Sequence, residues 1–367
     1  MSNGTLAILF LIAGGGSFLL ALALVPLALR IAPRVGYVDH PGGHKSHVKV
    51  TPYGGGCAIF IAGWLPTLVL LSLSALVPEH WFTNWFGAGI EPYVRGLHSR
   101  VMPTLIILGG GVALHLLGLR DDFKPLGPYA KLGVMAAVAL LVSSFGGVRM
   151  AEFAGPVPSV LLTTIWIVII TNAMNFLDNM DGLSAGIAAI AAAFLVICGL
   201  MAGQVFVPGL ACIFLGAILG FLVFNFPPAK IFMGDAGSLL IGYMLAVVSI
   251  LTSYWKSGTD HPPFALAMPL VVLAVPLYDF NSVVIIRLLE GRNPLKGDQR
   301  HFSHRLVDRG LSRRSAVLTI YLATAATGLS ATLLPGAGLR ETITILSFVL
   351  MVLLIIAILE APLRKAT

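Results

Sequence analysis

The chain has 367 residues, of which 57% are hydrophobic and only 11% charged, and its mean hydropathy is +0.93. A soluble domain carries about 25% charged residues, so a water-facing globule is excluded and the bilayer is the expected solvent. The formal net charge of +7 comes from 23 Lys and Arg against 16 Asp and Glu; no nucleic-acid-binding motif accompanies it, and nucleic acid is not an expected partner.

A membrane span needs about 20 apolar residues. In chain order, about eleven are expected, at 6–31, 55–77, 101–119, 130–145, 157–174, 183–202, 205–224, 236–254, 264–289, 316–334 and 343–359. The first is too long for a cleavable signal peptide and lacks a basic flank. No soluble insert, clear internal repeat or low-complexity tail interrupts the series. The expected fold is therefore an all-α polytopic integral membrane protein with one domain, 1–367. Cys57, Cys198 and Cys212 lie in apolar runs with neither metal spacing nor a disulfide framework. The runs Gly14-Gly-Gly16, Gly54-Gly-Gly56 and Gly109-Gly-Gly111 read as helix-packing glycines rather than phosphate loops.

Orientation follows from the basic residues. With the N-terminus outside, the loops after odd-numbered spans and the C-terminus hold 18 of the 23 Lys and Arg. The other face holds five, Arg95, Arg100, Arg149, Lys256 and Arg340. Positive charge marks the cytoplasmic side. Eleven of the sixteen acids lie on or near that same face, which topology alone does not explain.

These acids come in patterns. After the third span runs Gly118-Leu-Arg-Asp-Asp-Phe123, with Asp121 and Asp122 adjacent. Two neighbouring like charges raise one pKa or recruit a cation; a solvated helix end is the plainer alternative. After the fifth span, Asn175, Asp178 and Asp181 are spaced by three, which on a helical turn puts them on one face. Such a face suits a hard cation such as Mg²⁺, or is a polar cap. After the seventh span, Asp235 stands between Gly234 and Ala236-Gly237 at the start of an apolar run, as an N-cap or as a metal ligand over an anion site. After the ninth, His301 and His304 lie among Arg300, Arg305 and Arg309, a cluster suited to phosphate oxygens. Asp279, inside the ninth span, is either functional or a buried structural partner. Motifs at odd-numbered span ends must share one face, which argues for one composite site.

At these motifs the chain resembles the polyprenyl-phosphate N-acetylhexosamine-1-phosphate transferase superfamily. The matching stretches are Gly118-Leu-Arg-Asp-Asp-Phe123, Asn175-Phe-Leu-Asp-Asn-Met-Asp-Gly-Leu183, Phe232-Met-Gly-Asp-Ala-Gly-Ser238 and His301-Phe-Ser-His-Arg-Leu306. Val38-Asp-His-Pro-Gly-Gly-His-Lys-Ser-His47 and Thr51-Pro-Tyr-Gly-Gly-Gly56 add to them. The likeness is greatest to the branch acting on undecaprenyl phosphate with N-acetylglucosamine 1-phosphate. It implies transfer of a sugar 1-phosphate from a UDP-N-acetylhexosamine to a polyprenyl phosphate with release of UMP, the first step of lipid-linked envelope polysaccharide synthesis. It also implies Mg²⁺, with Mn²⁺ as an alternative, a bacterial inner-membrane location with a cytoplasmic site, and room for a homodimer.

The resemblance further assigns Asn175 and Asp235 to the metal, and Asp121 as base for the lipid phosphate with Asp122 in support. Asp178 and Asp181 orient the uridine-diphosphate end. His301, His304, Arg305 and Arg300 face the transferring group, and Lys45, His47 and Lys131 hold the lipid phosphate. Two positions depart from the family pattern. Asn179 stands where glycine is usual, and asparagine tolerates a left-handed backbone better than most residues. Ser303 stands where a further histidine is usual. The rival classes are a secondary transporter, which would show repeats and midplane acids, and a lipid-phosphate hydrolase with a similar site.

Overall fold

In hydrocarbon, each backbone N–H and C=O must be bonded within its own segment, so the long uncharged runs of this chain become helices. The computed structural model describes residues 3–40, 50–252, 266–294 and 300–360. In order, α1 (Asn3–Ile31) leads through a short antiparallel pair, β1 (Val38–Asp39) and β2 (Thr51–Pro52), to α2 (Gly55–Leu76). Two short amphipathic helices, α3 (Glu79–Phe86) and α4 (Glu91–Ser99), precede α5 (Val101–Phe123), α6 (Pro128–Phe145) and α7 (Pro156–Leu177). Then come α8 (Leu183–Met201), α9 (Phe206–Asn225), α10 (Gly234–Thr252), α11 (Met268–Val272) and α12 (Ala274–Leu289). The short α13 (Phe302–Asp308), α14 (Arg313–Ala331) and α15 (Leu339–Glu360) follow.

Among the described residues nine helices are long and apolar enough to cross a membrane. The expected span 264–289 is divided at Leu273 into α11 and α12. Pro276 lacks an amide hydrogen and its ring crowds the carbonyl four residues back, at the residue where α11 ends. The expected span 316–334 starts earlier, at Arg313, because Ser312 caps it, its Oγ accepting from Ser315 N at 3.1 Å. All three cysteines are unpaired.

The packing centres on α10. It is apolar or small on every side, and all its residues but Asp235 and Leu251 are buried; a helix hydrophobic all round belongs in the interior. It packs against α2, α5, α7 and α8, while α1 packs on α9 and α2. Close approach needs small residues: a Cβ on Gly56 would lie 2.5 Å from Gly237 N, and one on Gly111 2.2 Å from the Trp64 ring. These glycines pack helices, as expected. The β2 end is zipped to the start of α10 by Phe232 N to Pro52 O (2.9 Å), Gly55 N to Phe232 O (3.0 Å) and Gly56 N to Met233 O (3.1 Å). The Thr51 and Phe232 motifs are thereby neighbours.

Candidate active site

Two glycines bring the end of α5 onto the start of α10. A Cβ on Gly118 would fall 2.4 Å from the Asp235 carbonyl, and Gly234, at φ +68°, would place one 2.4 Å from Asp122 Oδ2. With neither side chain in the way, Asp122 reaches across. Its Oδ1 accepts from Asp235 N at 2.8 Å, and its Oδ2 from Ala236 N at 3.2 Å and the Tyr37 hydroxyl at 2.6 Å. Asp122 thus caps α10, placing a carboxylate on exposed N-terminal amides and the positive dipole end. Of the two readings of Asp235, the cap is filled by Asp122 instead. The Asp235 side chain turns outward, to Lys131 Nζ at 2.6 Å and Asn175 Nδ2 at 3.0 Å. Lys131 also pairs with Asp121 Oδ2 at 3.1 Å, and Asp121 Oδ1 accepts from Leu126 N at 2.6 Å. Asn175 is held by a further bond to Ser238 Oγ at 2.8 Å.

The expected helical face of Asn175, Asp178 and Asp181 is not what forms. The helix α7 stops at Leu177, and residues 178–182 make a turn closed by Gly182 at φ +71°. Asn175 is in the last helical turn. Asp181 Oδ2 accepts from Ala229 N at 2.9 Å, while Asn225 ties Gly182 N (3.0 Å) to Ile231 O (2.8 Å). The acids converge through folded loops rather than along one face. Burial first, then the charges of Asp235, Asp122 and Asp181, raise the Asp178 carboxyl well above the ordinary range. Burial and the nearby carboxylates likewise raise the Tyr37 and Tyr53 hydroxyls, which stay protonated donors.

The histidine segment is built differently. Asp279 is fully buried; its Oδ2 lies 2.9 Å from His301 Nδ1 and its Oδ1 accepts from Phe302 N at 2.7 Å. The carboxylate caps α13 and fixes the proton on Nδ1, leaving Nε2 for other partners. The Phe176 ring meets His301 edge-on at 5.8 Å. His304 is half-buried, and burial followed by the charge of His301 lowers its pKa, so it is a neutral imidazole at neutral pH. Arg305, expected at the transferring group, is committed elsewhere. Its Nε and Nη2 pair with Glu360 on α15 at 3.1 and 3.0 Å, and Nη2 donates to Ser282 Oγ at 2.7 Å. Arg300 pairs with Glu290 at 3.0 Å. Lys45 and His47 lie outside the described residues. Residues that local patterns did not single out are Tyr37, Ser238 and Asn225, whose contacts with Asp122, Asn175 and Gly182 span 85, 63 and 43 residues.

Mg²⁺ takes oxygen ligands and is usually held by one or two carboxylates together with substrate phosphates. Here Asp121 and Asp235 converge on a single positive point, the Lys131 ammonium, with the Asn175 amide against Asp235. That hard, oxygen-rich set fits Mg²⁺ or Mn²⁺. Among the described residues no group of three or more His, Cys, Asp or Glu is arranged to hold a metal, and an ion bound jointly with a diphosphate does not require one.

Comparison with known proteins adds an independent line. The model of glycosyl transferase family 4 matches residues 104–253, from α5 through α10, and so covers every acid of the cluster but not α13. A probable undecaprenyl-phosphate N-acetylglucosaminyl 1-phosphate transferase of Bacillus subtilis (strain 168) is 34% identical over 93% of this chain and 89% of its own length. A decaprenyl-phosphate N-acetylglucosaminephosphotransferase of Mycolicibacterium smegmatis is 36% identical over 80% of this chain and 74% of its own. An undecaprenyl-phosphate alpha-N-acetylglucosaminyl 1-phosphate transferase of Escherichia coli (strain K12) is 26% identical over 84% and 79% respectively.

Proposed function

The chain belongs to glycosyl transferase family 4, and on that premise we infer how its site works. It is a multi-pass membrane enzyme that transfers N-acetylglucosamine 1-phosphate to a polyprenyl phosphate. The observation that carries the mechanism is the bonded unit Asp122–α10–Asp235–Lys131–Asp121, with Asn175 against it.

The donor is a UDP-sugar. An oxygen of the lipid phosphate attacks the donor β-phosphorus, the bond from that phosphorus to the bridging oxygen breaks, and UMP leaves with that oxygen. Such a transfer asks for positioning and charge neutralisation rather than covalent help. Asp122 holds Asp235 at the mouth of α10. Lys131 binds the lipid phosphate, and Asp121 takes any proton that phosphate still carries. His301, its Nδ1 fixed by Asp279, donates or accepts at Nε2 beside the donor, with His304 next to it. Asp235 and Asn175 would hold Mg²⁺, which when bound would supply positive charge for the diphosphate. The apolar tail of the acceptor explains a membrane-embedded site, because that reactant never leaves the bilayer.

The site faces the cytoplasm of a bacterial plasma membrane, supported by the 18-to-5 split of basic residues. In sealed cells, an impermeant thiol reagent labels a cysteine placed at Glu91 and not one at Arg292; the reverse would invert the orientation. The activity is tested on purified protein with UDP-N-acetylglucosamine, UDP-N-acetylgalactosamine and UDP-N-acetylmuramoyl-pentapeptide. UMP release that requires added undecaprenyl phosphate, with a lipid product heavier by one N-acetylglucosamine phosphate, is expected. Release of inorganic phosphate instead would favour a hydrolase.

A further inference from the structure

Asn179, in the turn that bears the acids, and Ser303, in α13, face each other. Ser303 lies in α13 between His301 and His304, fully buried, and its hydroxyl donates to Asn179 Oδ1 at 2.6 Å. Asn179 stands between Asp178 and Asp181, and its Nδ2 donates to Phe176 O at 2.7 Å. Both ends of the amide are used. Backbone freedom is not the reason for asparagine here: among the described residues Ala151 is the only non-glycine with positive φ. Among the described residues, other polar fastenings of α13 come from α12 and α15: Asp279 to Phe302 N and His301, and Ser282 and Glu360 to Arg305. The Ser303–Asn179 bond instead ties it to the turn that bears the acids. A buried hydroxyl needs an acceptor, and glycine at 179 offers no side chain. Conversely, histidine at 303 needs volume that the Asn179 side chain fills.

We propose that Asn179 and Ser303 are a coupled positioning pair that sets the reach of His301 and His304 toward the acid turn. The proposal rests on the transferase reading. It is tested on the full chain in detergent, by UMP release over a range of UDP-N-acetylglucosamine and by thermal unfolding. Ser303→Ala and Asn179→Ala each lower kcat about tenfold, since small displacements of positioned groups are costly, with KM for the donor little changed. The double variant loses no more than the worse single one, the mark of a shared interaction. Ser303→His alone is impaired, and Asn179→Gly added to it restores at least part of the loss. Additive losses, or a Ser303→His variant that Asn179→Gly does not help, would overturn the pair. If the parent releases no UMP with polyprenyl phosphate, the transferase reading fails instead. The pair is then judged on the thermal midpoints, where additive shifts overturn it.

Discussion

The adjoining ends of α5 and α10 and the short helix α13 use the same residue types to opposite ends. At α5 and α10, Asp121, Asp122 and Asp235 face one another and one cation, Lys131, with Asp178 crowded nearby. Negative charge is in excess there, and the fold concentrates it. At α13 the side chains are held from α12 and α15: His301 by Asp279, Arg305 by Glu360. In the mechanism proposed above, the acid cluster receives charge from outside and the histidine segment holds a shape. Removing a group should therefore alter cation dependence in the first region and geometry in the second.

The largest effect is expected at Asp235. Replacement by Asn leaves the shape and removes the charge, and turnover falls about 10³-fold, the scale for a preorganised electrostatic group; UMP release at saturating substrates checks it. Next, Asp279→Asn unties His301 and should cost about 10-fold to 100-fold in kcat with KM for the donor nearly unchanged. A rise in KM alone would place His301 in binding rather than transfer.

A smaller effect separates the regions by pH. The Asp178 carboxyl is raised by burial and by Asp235, Asp122 and Asp181. A raised carboxyl favours the protonated folded form, so this group's contribution is fully present below its unfolded pKa of about 4 and is lost as pH rises to the folded value. Asp178→Asn should match the parent's thermal midpoint below that pH and exceed it increasingly toward neutrality, measured in chelator to leave the acids bare. An equal midpoint at pH 7.5 would mean that the acids there do not repel. Smallest is Glu360→Gln, which weakens the ties from Arg305 and Tyr278. Stability should fall by about 1–2 kcal/mol with Mg²⁺ dependence unmoved.

Much of this was legible in the sequence, for physical reasons. Apolar length marks spans, and span parity puts the motif loops on one face; both need only local composition. What was not legible depends on partners remote along the chain. The cap of α10 comes from Asp122, 113 residues before the amide it accepts from, so a rule that looks just before the helix points to Asp235. Arg305 sits among basic neighbours and looks free for phosphate until Glu360, 55 residues on, claims it. Asp279 is conspicuous as a carboxylate in an apolar run, but only the fold reveals that it serves His301. The three-residue spacing from Asn175 to Asp181 suggests a helix, which the turn ending at Gly182 stops short.

The most direct test of the contrast is a Mg²⁺ titration of UMP release for the parent, Asp235→Asn and Asp279→Asn under identical lipid and donor conditions. Asp235→Asn should raise the half-saturating Mg²⁺ concentration at least tenfold. Asp279→Asn should lower the plateau and leave the half-saturation point where the parent has it. If both variants shift that point equally, or Asp235→Asn leaves it unchanged, then the acid cluster is not the cation-receiving half of the site.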